Sequence, residues 1–400
     1  MKSNYKFPLA TSTWDQSELK SIKKVIKSNK FTMGKNVLEF EKKFANYLGV
    51  RHCIMVNSGS SANLLMIASL FFSKQTKIRL KQNDEVIVPA ISWSTTYFPL
   101  FQYNLKVKFC DINIKTLNLD LDQLENLITP KTKLIFLVNL GGNPNDFNKI
   151  KKIINKRNIN IIEDNCESLG AEYLKKKTGT FGIMGSFSFY FSHHISTMEG
   201  GMIATNNTRL KDILLSIRAH GWTRNLSKKN TLVKINENSF HNAFNFILPG
   251  YNVRPLEFSG AVGLEQLKKL NSFLKIRRSN AAKFSRIIKK SNLFYTQEMV
   301  GNSSWFWFTF ILKKNSNLKR SYVLDLFTKH GFETRPVAAG NFTKNIAIKY
   351  FKYSIPKKLI NSDYIHDNAF VIGNNPKKMD DEFKELQKLI EYIENQNTQK

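Results

Sequence analysis

The sequence predicts an α/β protein in which a large domain with a mainly parallel sheet is followed by a smaller α+β domain. Short apolar runs alternate with helix-spaced stretches over about the first 250 residues, which is typical of a parallel sheet covered by helices. Beyond that point the pattern changes to a long helical stretch rich in Leu, Lys and Arg. A chain of 400 residues, 42% of them hydrophobic, is long enough for two or three such units. We therefore place the large domain at residues 30–250 and the small domain at 251–400, together with 1–29.

The elements follow from the apolar patterns in chain order. Strands of the large sheet are expected where short apolar runs end in polar residues, at 85–89, 107–110, 133–138, 159–163 and 186–190. Helices of this domain are expected at 64–72, 121–128 and 147–156, and the small domain should contain helices 256–289, 322–330 and 380–394 and a strand at 305–312. Ligands of parallel sheets bind at the carboxyl ends of the strands, so the residues after each strand are the first candidates for a site.

Composition excludes several classes of protein. The net charge of +30 could indicate a nucleic-acid partner, but lysine is spread over the whole chain together with Asn, Ile and Phe. All four have AT-rich codons, and no basic motif is interleaved with aromatic residues, so we expect no nucleic acid and only a general preference for anionic substrates. No apolar run reaches the ~18 residues of a membrane span, and the N-terminus does not lead into a signal-peptide core. We expect a cytoplasmic protein without a membrane partner.

Four local features lie where a ligand of such a sheet would bind. A Ser/Gly-rich segment at 57–63 enters a helix, Trp93 and Asp164 each follow a strand, and an aromatic-rich segment at 186–194 is followed by Glu199-Gly200-Gly201. Free N–H groups at a helix start can hold an anion, a carboxylate can hold a cation, and a tryptophan can stack on a ring. Taken singly, these features are also explained by helix capping, by a metal ligand or N-cap, and by a core tryptophan.

Taken in order, the motifs resemble the DegT/DnrJ/EryC1/StrS sugar aminotransferases, and the resemblance covers nearly the whole chain. The motifs are NSGSSA at 57–62, PAISW at 89–93, EDNCESLGA at 163–171, SFSFY at 186–190, EGGMI at 199–203 and PGYNVR at 249–254. The resemblance implies the PLP-dependent transferase fold type I (aspartate aminotransferase-like), with a mainly parallel seven-stranded sheet. It also implies pyridoxal 5′-phosphate (PLP) as the cofactor and a homodimer with shared active sites.

The family pattern assigns roles to cofactor-binding residues by position. Asp164 matches the aspartate that pairs with the pyridine nitrogen, and Trp93 matches the aromatic residue that stacks on the ring. Ser188 matches the serine that binds the cofactor phosphate, with Gly59 and Ser60 at the helix start beside it.

Four further residues have weaker assignments. Asn252 matches an asparagine that the neighbouring subunit contributes to the phosphate, and Glu167 follows Asp164 by one helical turn and is expected to support the ring face. His220 is a candidate for the sugar site, with helix capping as the alternative. Arg335 is a candidate for binding a carboxylate or a pyrophosphate, with a surface ion pair as the alternative.

One departure from the family pattern points to the reaction. His193 occupies the position of the lysine that forms the Schiff base in the aminotransferases, and no lysine occurs between residues 178 and 210. An imidazole cannot hold the cofactor covalently, but it can move protons. This substitution is similar to that of the 3-dehydratases of the family, which remove the C3 hydroxyl of nucleotide-linked 4-keto-6-deoxyhexoses. His194, where the family usually has asparagine, is expected to make a structural hydrogen bond.

The resemblance then implies an enzyme of cell-surface polysaccharide biosynthesis that uses PLP and its amine form, pyridoxamine phosphate (PMP), without a Schiff-base link to the protein. The three cysteines, Cys53, Cys110 and Cys166, are scattered and form no metal-binding pattern, so we expect no iron–sulfur cluster and no metal. That leaves the glutamate-dependent type of dehydratase. Its substrates are L-glutamate and a nucleotide sugar, and we expect the nucleotide sugar to be GDP-4-keto-6-deoxymannose. The alternatives are a sugar aminotransferase that works with histidine and a catalytically silent protein of the same fold.

Overall fold

The computed structural model describes residues 5–235, 240–241, 244–355 and 358–398. Its α-helices are α1 (Gln16–Ser28), α2 (Lys35–Leu48), α3 (Gly59–Phe72), α4 (Ser94–Gln102), α5 (Leu121–Leu127), α6 (Phe147–Ile153), α7 (Thr208–Ile217), α8 (Glu257–Lys290), α9 (Arg320–Lys329), α10 (Ile360–Asn368) and α11 (Asp380–Thr398). Within these described segments, no helix is both long and apolar enough to cross a bilayer.

The large sheet has eight strands in the order β1-β9-β8-β5-β4-β2-β3-β12. Strand β9 runs antiparallel to both of its neighbours, and the other pairs are parallel. The strands are β1 (His52–Val56), β2 (Glu85–Pro89), β3 (Lys106–Cys110), β4 (Thr132–Val138), β5 (Asn160–Asp164), β8 (Met184–Ser188), β9 (Gly201–Thr205) and β12 (Lys352–Ser354).

The count of seven strands predicted for this sheet is wrong by one. The additional strand is β12, whose three residues are all exposed and which comes from the C-terminal part of the chain. It pairs in parallel with β3, from Lys352 opposite Lys106 to Ser354 opposite Lys108. A short exposed strand has no apolar alternation, so nothing local in the sequence distinguishes it from a loop. The division of the chain into domains at residue 250 stays a prediction.

A second, three-stranded antiparallel sheet is formed by β10 (Phe294–Tyr295), β11 (Trp307–Leu312) and β13 (Ala369–Gly373). A small hairpin, β6 (Glu172–Tyr173) and β7 (Lys176–Lys177), completes the strands. The apolar side chains of α8, α9 and α11 pack against the three-stranded sheet and form a core of their own. Helix α8 also packs along α1 and α2, so it lies against both parts of the chain.

The site is positioned by strand ends and helix starts that meet at one edge of the large sheet. The carboxyl ends of β5 and β8 carry Asp164 and Ser188, and both residues are buried. Helix α3 begins at Gly59, directly after its N-cap Ser58. The predicted strand 186–190 instead covers 184–188, which places Ser188 at the strand end rather than inside it.

Candidate active site

Asp164 is held by three neutral donors at the end of β5. Its Oδ2 accepts from Asn63 Nδ2 at 2.8 Å and from Thr96 Oγ1 at 2.7 Å, and its Oδ1 accepts from the backbone N–H of Cys166 at 3.1 Å. The carboxylate is 7% exposed and makes no ion pair within the described segments. A buried carboxylate with neutral donors only is well suited to pairing with a cation of a bound molecule, such as a protonated ring nitrogen.

Gly59 and Ser188 lie against each other and form a cradle at the start of α3. A Cβ at Gly59 would lie 2.6 Å from Ser188 Cβ and 2.9 Å from Cys166 Sγ, so no side chain fits there. The N-cap Ser58 is in turn approached by β9, because a Cβ at Gly201 would lie 2.2 Å from its carbonyl oxygen. The start of α3 is therefore packed closely on β8 and β9, with its free N–H groups at the strand ends.

Two further predicted residues lie at the starts of α3 and α4. Trp93 is the N-cap residue of α4 and is 57% exposed, so its indole is available for a ring to stack on. Ser60 Oγ donates to Thr95 Oγ1 at 3.1 Å across the two helix starts. Neither residue belongs to the core, which argues against the core-tryptophan alternative for Trp93.

His193 lies in the turn that follows β8. Its backbone N–H donates to Tyr190 O at 2.9 Å, and its ring packs 5.1 Å from the ring of Phe306, centre to centre. Its Nδ1 is buried without a hydrogen-bond partner in the described part of the chain, which leaves Nε2 for a bound molecule. Burial, with the positive charge of Arg277 adding to it, lowers the pKa of His193 to about 4, so the ring is neutral near pH 7.

His194 has the structural role expected for it. The residue is fully buried, and its Nε2 donates to Ser304 O at 3.2 Å. Burial lowers the pKa of His194 well below its ordinary value, so this ring is neutral as well.

Glu167 lies near Asp164 and binds the backbone of a neighbouring loop. Its Oε2 accepts from the N–H of Gly141 at 2.9 Å. Burial raises the pKa of Glu167 to about 8, opposed by that hydrogen bond and reinforced by the charge of Asp164. The side chain is therefore protonated near neutral pH and can donate as well as accept a hydrogen bond.

Three predicted residues have no described contact with this cluster. Asn252 is exposed, and its Oδ1 accepts from Arg254 Nε at 3.1 Å. His220 has a positive φ of 61° and packs its ring 4.8 Å from that of Trp222. Arg335 is exposed and forms an ion pair with Glu333 at 3.4 Å, which is the surface alternative considered for it.

The sequence patterns missed the residues that hold the predicted ones in place. Asn63 and Thr96 are buried inside the first turns of α3 and α4, one turn after Gly59 and Trp93, and that spacing is a signal by which both could have been found. Phe306 and Arg277 approach from the C-terminal part of the chain, and no local pattern connects them with His193.

These residues fit PLP. The cradle at Gly59 and Ser188 suits a phosphate, Asp164 suits the ring nitrogen, and Trp93 offers a face for the ring. His193 contributes an imidazole nitrogen where a lysine would bind covalently.

Comparisons with known proteins show which family the chain resembles. The model of the DegT/DnrJ/EryC1/StrS aminotransferase family matches residues 12–391. A GDP-4-keto-6-deoxy-D-mannose 3-dehydratase of Yersinia pseudotuberculosis is 52% identical over 382 residues, covering 95% of this chain and 97% of the relative. The structure of the Escherichia coli GDP-4-keto-6-deoxy-D-mannose-3-dehydratase with bound hydrated PLP is 50% identical, covers 96% of this chain and 99% of that chain, and has a TM-score of 0.95.

A further solved structure bears on the cofactor. It is a GDP-4-keto-6-deoxymannose-3-dehydratase with a trapped PLP–glutamate geminal diamine, 50% identical, with a TM-score of 0.94, covering 96% of this chain and 100% of that chain. The predicted fold and cofactor are thereby confirmed. Because the family model spans nearly the whole sequence and half of the residues are shared with its dehydratases, the chain belongs to the DegT/DnrJ/EryC1/StrS aminotransferase family.

Proposed function

We propose that this protein is a PLP- and L-glutamate-dependent 3-dehydratase that removes the C3 hydroxyl of GDP-4-keto-6-deoxymannose. The observation that carries the proposal is His193, a half-buried imidazole that is neutral near pH 7 and lies five residues after Ser188 in a stretch without lysine. The substrate is assigned because both the Yersinia and the Escherichia coli relatives are dehydratases of this sugar at 50% identity or more.

When bound, PLP supplies an aldehyde that exchanges for the amine of L-glutamate and a ring that accepts electrons. The protein has to hold this group without a covalent bond. Asp164 keeps the ring nitrogen protonated, and Asn63 and Thr96 hold the carboxylate in position. Ser188 and the start of α3 bind the phosphate, and Trp93 covers the ring.

His193 moves the proton. As a neutral base, its Nε2 takes a proton from the carbon that the reaction activates, and burial beside Arg277 makes the resulting imidazolium a strong acid. It can therefore pass the proton to the departing C3 hydroxyl, which leaves as water. A lysine at this position would compete for the cofactor covalently and return its proton to C4, so histidine favours elimination over transamination.

The overall reaction balances without another oxidant or reductant. L-Glutamate gives up two electrons and becomes 2-oxoglutarate, its nitrogen leaves as ammonia, and the sugar loses one oxygen. The product is a 4-keto-3,6-dideoxy sugar, suited to cell-surface polysaccharide synthesis.

The homodimer is part of the proposal. Asn252 is exposed, and the one hydrogen bond of its carboxamide within the described part of its own chain is to Arg254, so the carboxamide is available to a phosphate held by a second copy. A twofold dimer would then carry two shared sites. Light scattering at micromolar concentration should give twice the mass of 46.2 kDa, and a monomer with full activity would contradict this assignment of Asn252.

The test of the function is mass spectrometry of the sugar after incubation with PLP, L-glutamate and GDP-4-keto-6-deoxymannose. A product lacking one oxygen, with release of ammonia, is expected. The matched controls are His193→Asn, which should abolish the reaction, and His194→Asn, which should retain it at lower stability. A product carrying an amine would mean that the protein is an aminotransferase, and no turnover of any nucleotide sugar in a panel would favour a silent protein.

A further inference from the structure

A buried arginine lies near His193. Arg277 on α8 is 3% exposed, and its Nη1 donates to Phe306 O at 3.2 Å and also to Asn374 O. No acidic side chain in the described part of the chain offsets its charge, and burial lowers the pKa of Arg277 to about 9. A buried charge without an acidic partner is costly for folding, so a contribution to stability does not explain why an arginine occupies this position.

Phe306 connects this arginine to the turn after β8. Its ring lies 5.1 Å from that of His193 and 5.5 Å from that of His194, centre to centre. Its backbone is fixed on both sides, because its N–H donates to Gly141 O at 3.0 Å and its carbonyl accepts from Arg277. The backbone of Phe306 therefore has a defined position, from which its ring packs against both imidazoles.

We propose that Arg277 is a positioning residue for His193: it holds Phe306 against the imidazole and places a fixed positive charge near it. The inference rests on the proposed role of His193 as the proton carrier. Arg277 is also the charged group that, after burial, lowers the pKa of His193. The other titratable groups around this turn are Tyr190, whose ring lies 6.1 Å from His193, and the neutral His194.

The same helix offers a matched control at the next position. Arg278 donates from Nε to Ser303 O and from Nη2 to Gly170 O, both at 2.9 Å. Like Arg277, it thus binds one carbonyl of the segment 303–306, and its charge acts on His194 rather than on His193. Replacing either arginine removes hydrogen bonds to this segment, but only one replacement removes the charge near His193.

The experiment is a pH titration of the His193 imidazole by NMR in histidine-labelled, cofactor-free protein, with the signal assigned by its loss in His193→Asn. The chain has seven histidines, so the spectrum is simple. In Arg277→Gln the pKa of His193 should rise by about 1 unit, and in Arg277→Lys it should stay near that of the wild type. In Arg278→Gln the melting temperature should fall while the His193 titration is unchanged.

The second readout is the half-reaction of the PLP-loaded protein with L-glutamate, followed by loss of PLP absorbance. Its rate should fall at least about tenfold in Arg277→Gln and in Phe306→Leu, since both loosen the imidazole. Phe306→Leu retains Arg277, and it is the variant that tests the inference if Arg277→Gln does not fold. An unmoved His193 titration in Arg277→Gln, or a wild-type rate in Phe306→Leu, would overturn the inference.

The two proposals fail in different ways. If the wild type dehydrates no sugar but the His193 titration responds to Arg277→Gln, the proposed function is wrong and the link between the two residues stands. If dehydration occurs and the titration does not respond, the function stands and Arg277 is a structural residue only.

Discussion

Thr96→Val should destabilise the cofactor-free protein, because Thr96 Oγ1 donates to the buried Oδ2 of Asp164 at 2.7 Å. Valine has nearly the same shape, so the change removes this bond, and the bond between Thr96 Oγ1 and Ser92 Oγ at 2.7 Å, with little change in packing. The hydrogen bond to the charged group alone contributes about 1.5–3 kcal/mol. With an unfolding entropy of about 2.1 cal/mol/K per residue, a chain of 400 residues should lose about 2–4 °C in melting temperature.

The control is the same substitution one residue earlier. Thr95 Oγ1 accepts from Ser60 Oγ at an exposed position, and surface changes of this kind usually stay within about 0.5 kcal/mol. Thr95→Val should therefore lower the melting temperature by less than about 1 °C in calorimetry without PLP. If both variants lost the same amount of melting temperature, the reasoning that Thr96 stabilises a buried charge on Asp164 would be refuted. Saturating PLP should also raise the melting temperature of the wild type by more than that of Thr96→Val.

The remaining predictions concern the site itself. His193→Lys should bind PLP covalently, with absorption in the visible, and lose dehydration; retained dehydratase activity would contradict the base assignment. Asp164→Asn should slow turnover roughly 10- to 100-fold, the value of one hydrogen bond to a charged group, and normal rates in steady-state kinetics would remove it as the partner of the ring nitrogen. Gly59→Ala should weaken PLP binding, measured by fluorescence titration, because its methyl group would meet Ser188 Cβ at 2.6 Å; unchanged affinity would contradict the close approach. Glu167 has its pKa raised to about 8, so the folded state binds more protons than the unfolded state from about pH 4.5 upward, and stability should fall as the pH rises to about 8. Glu167→Gln should flatten that part of the pH dependence of the melting temperature, and an unchanged slope would show that another group causes it.

The sequence predicts strands well where the signal is local and apolar. The strand 85–89 is observed as β2 with the same limits, and four of its five residues are buried. The strand before Ser188 begins two residues earlier than expected, since Gly185 lowers the strand signal at a position where only glycine fits against the backbone of Gly179.

The residues of the site also differ in how much local signal they leave in the sequence. Asp164 and Ser188 end strands, and Gly59 starts a helix, so the order of the motifs is enough to bring them together. Arg277 lies in a helix rich in Lys and Arg, where a solvated surface is the ordinary expectation. Only the packing of Phe306 and Asn374 around it shows that it is buried, and such contacts between distant parts of the chain leave no local pattern.

Strand β12 has a consequence for synthesis of the chain. The ribosome delivers β3 about 240 residues before β12, so the nascent protein carries an open parallel edge during most of its elongation. Val107 and Phe109 of that edge strand are buried in the finished sheet, and an unpaired edge of this kind invites pairing with other extended chains. The exposed Lys106 repels a second copy of the same edge. Fragments that stop before Lys352 should therefore depend on chaperones more than the full chain does.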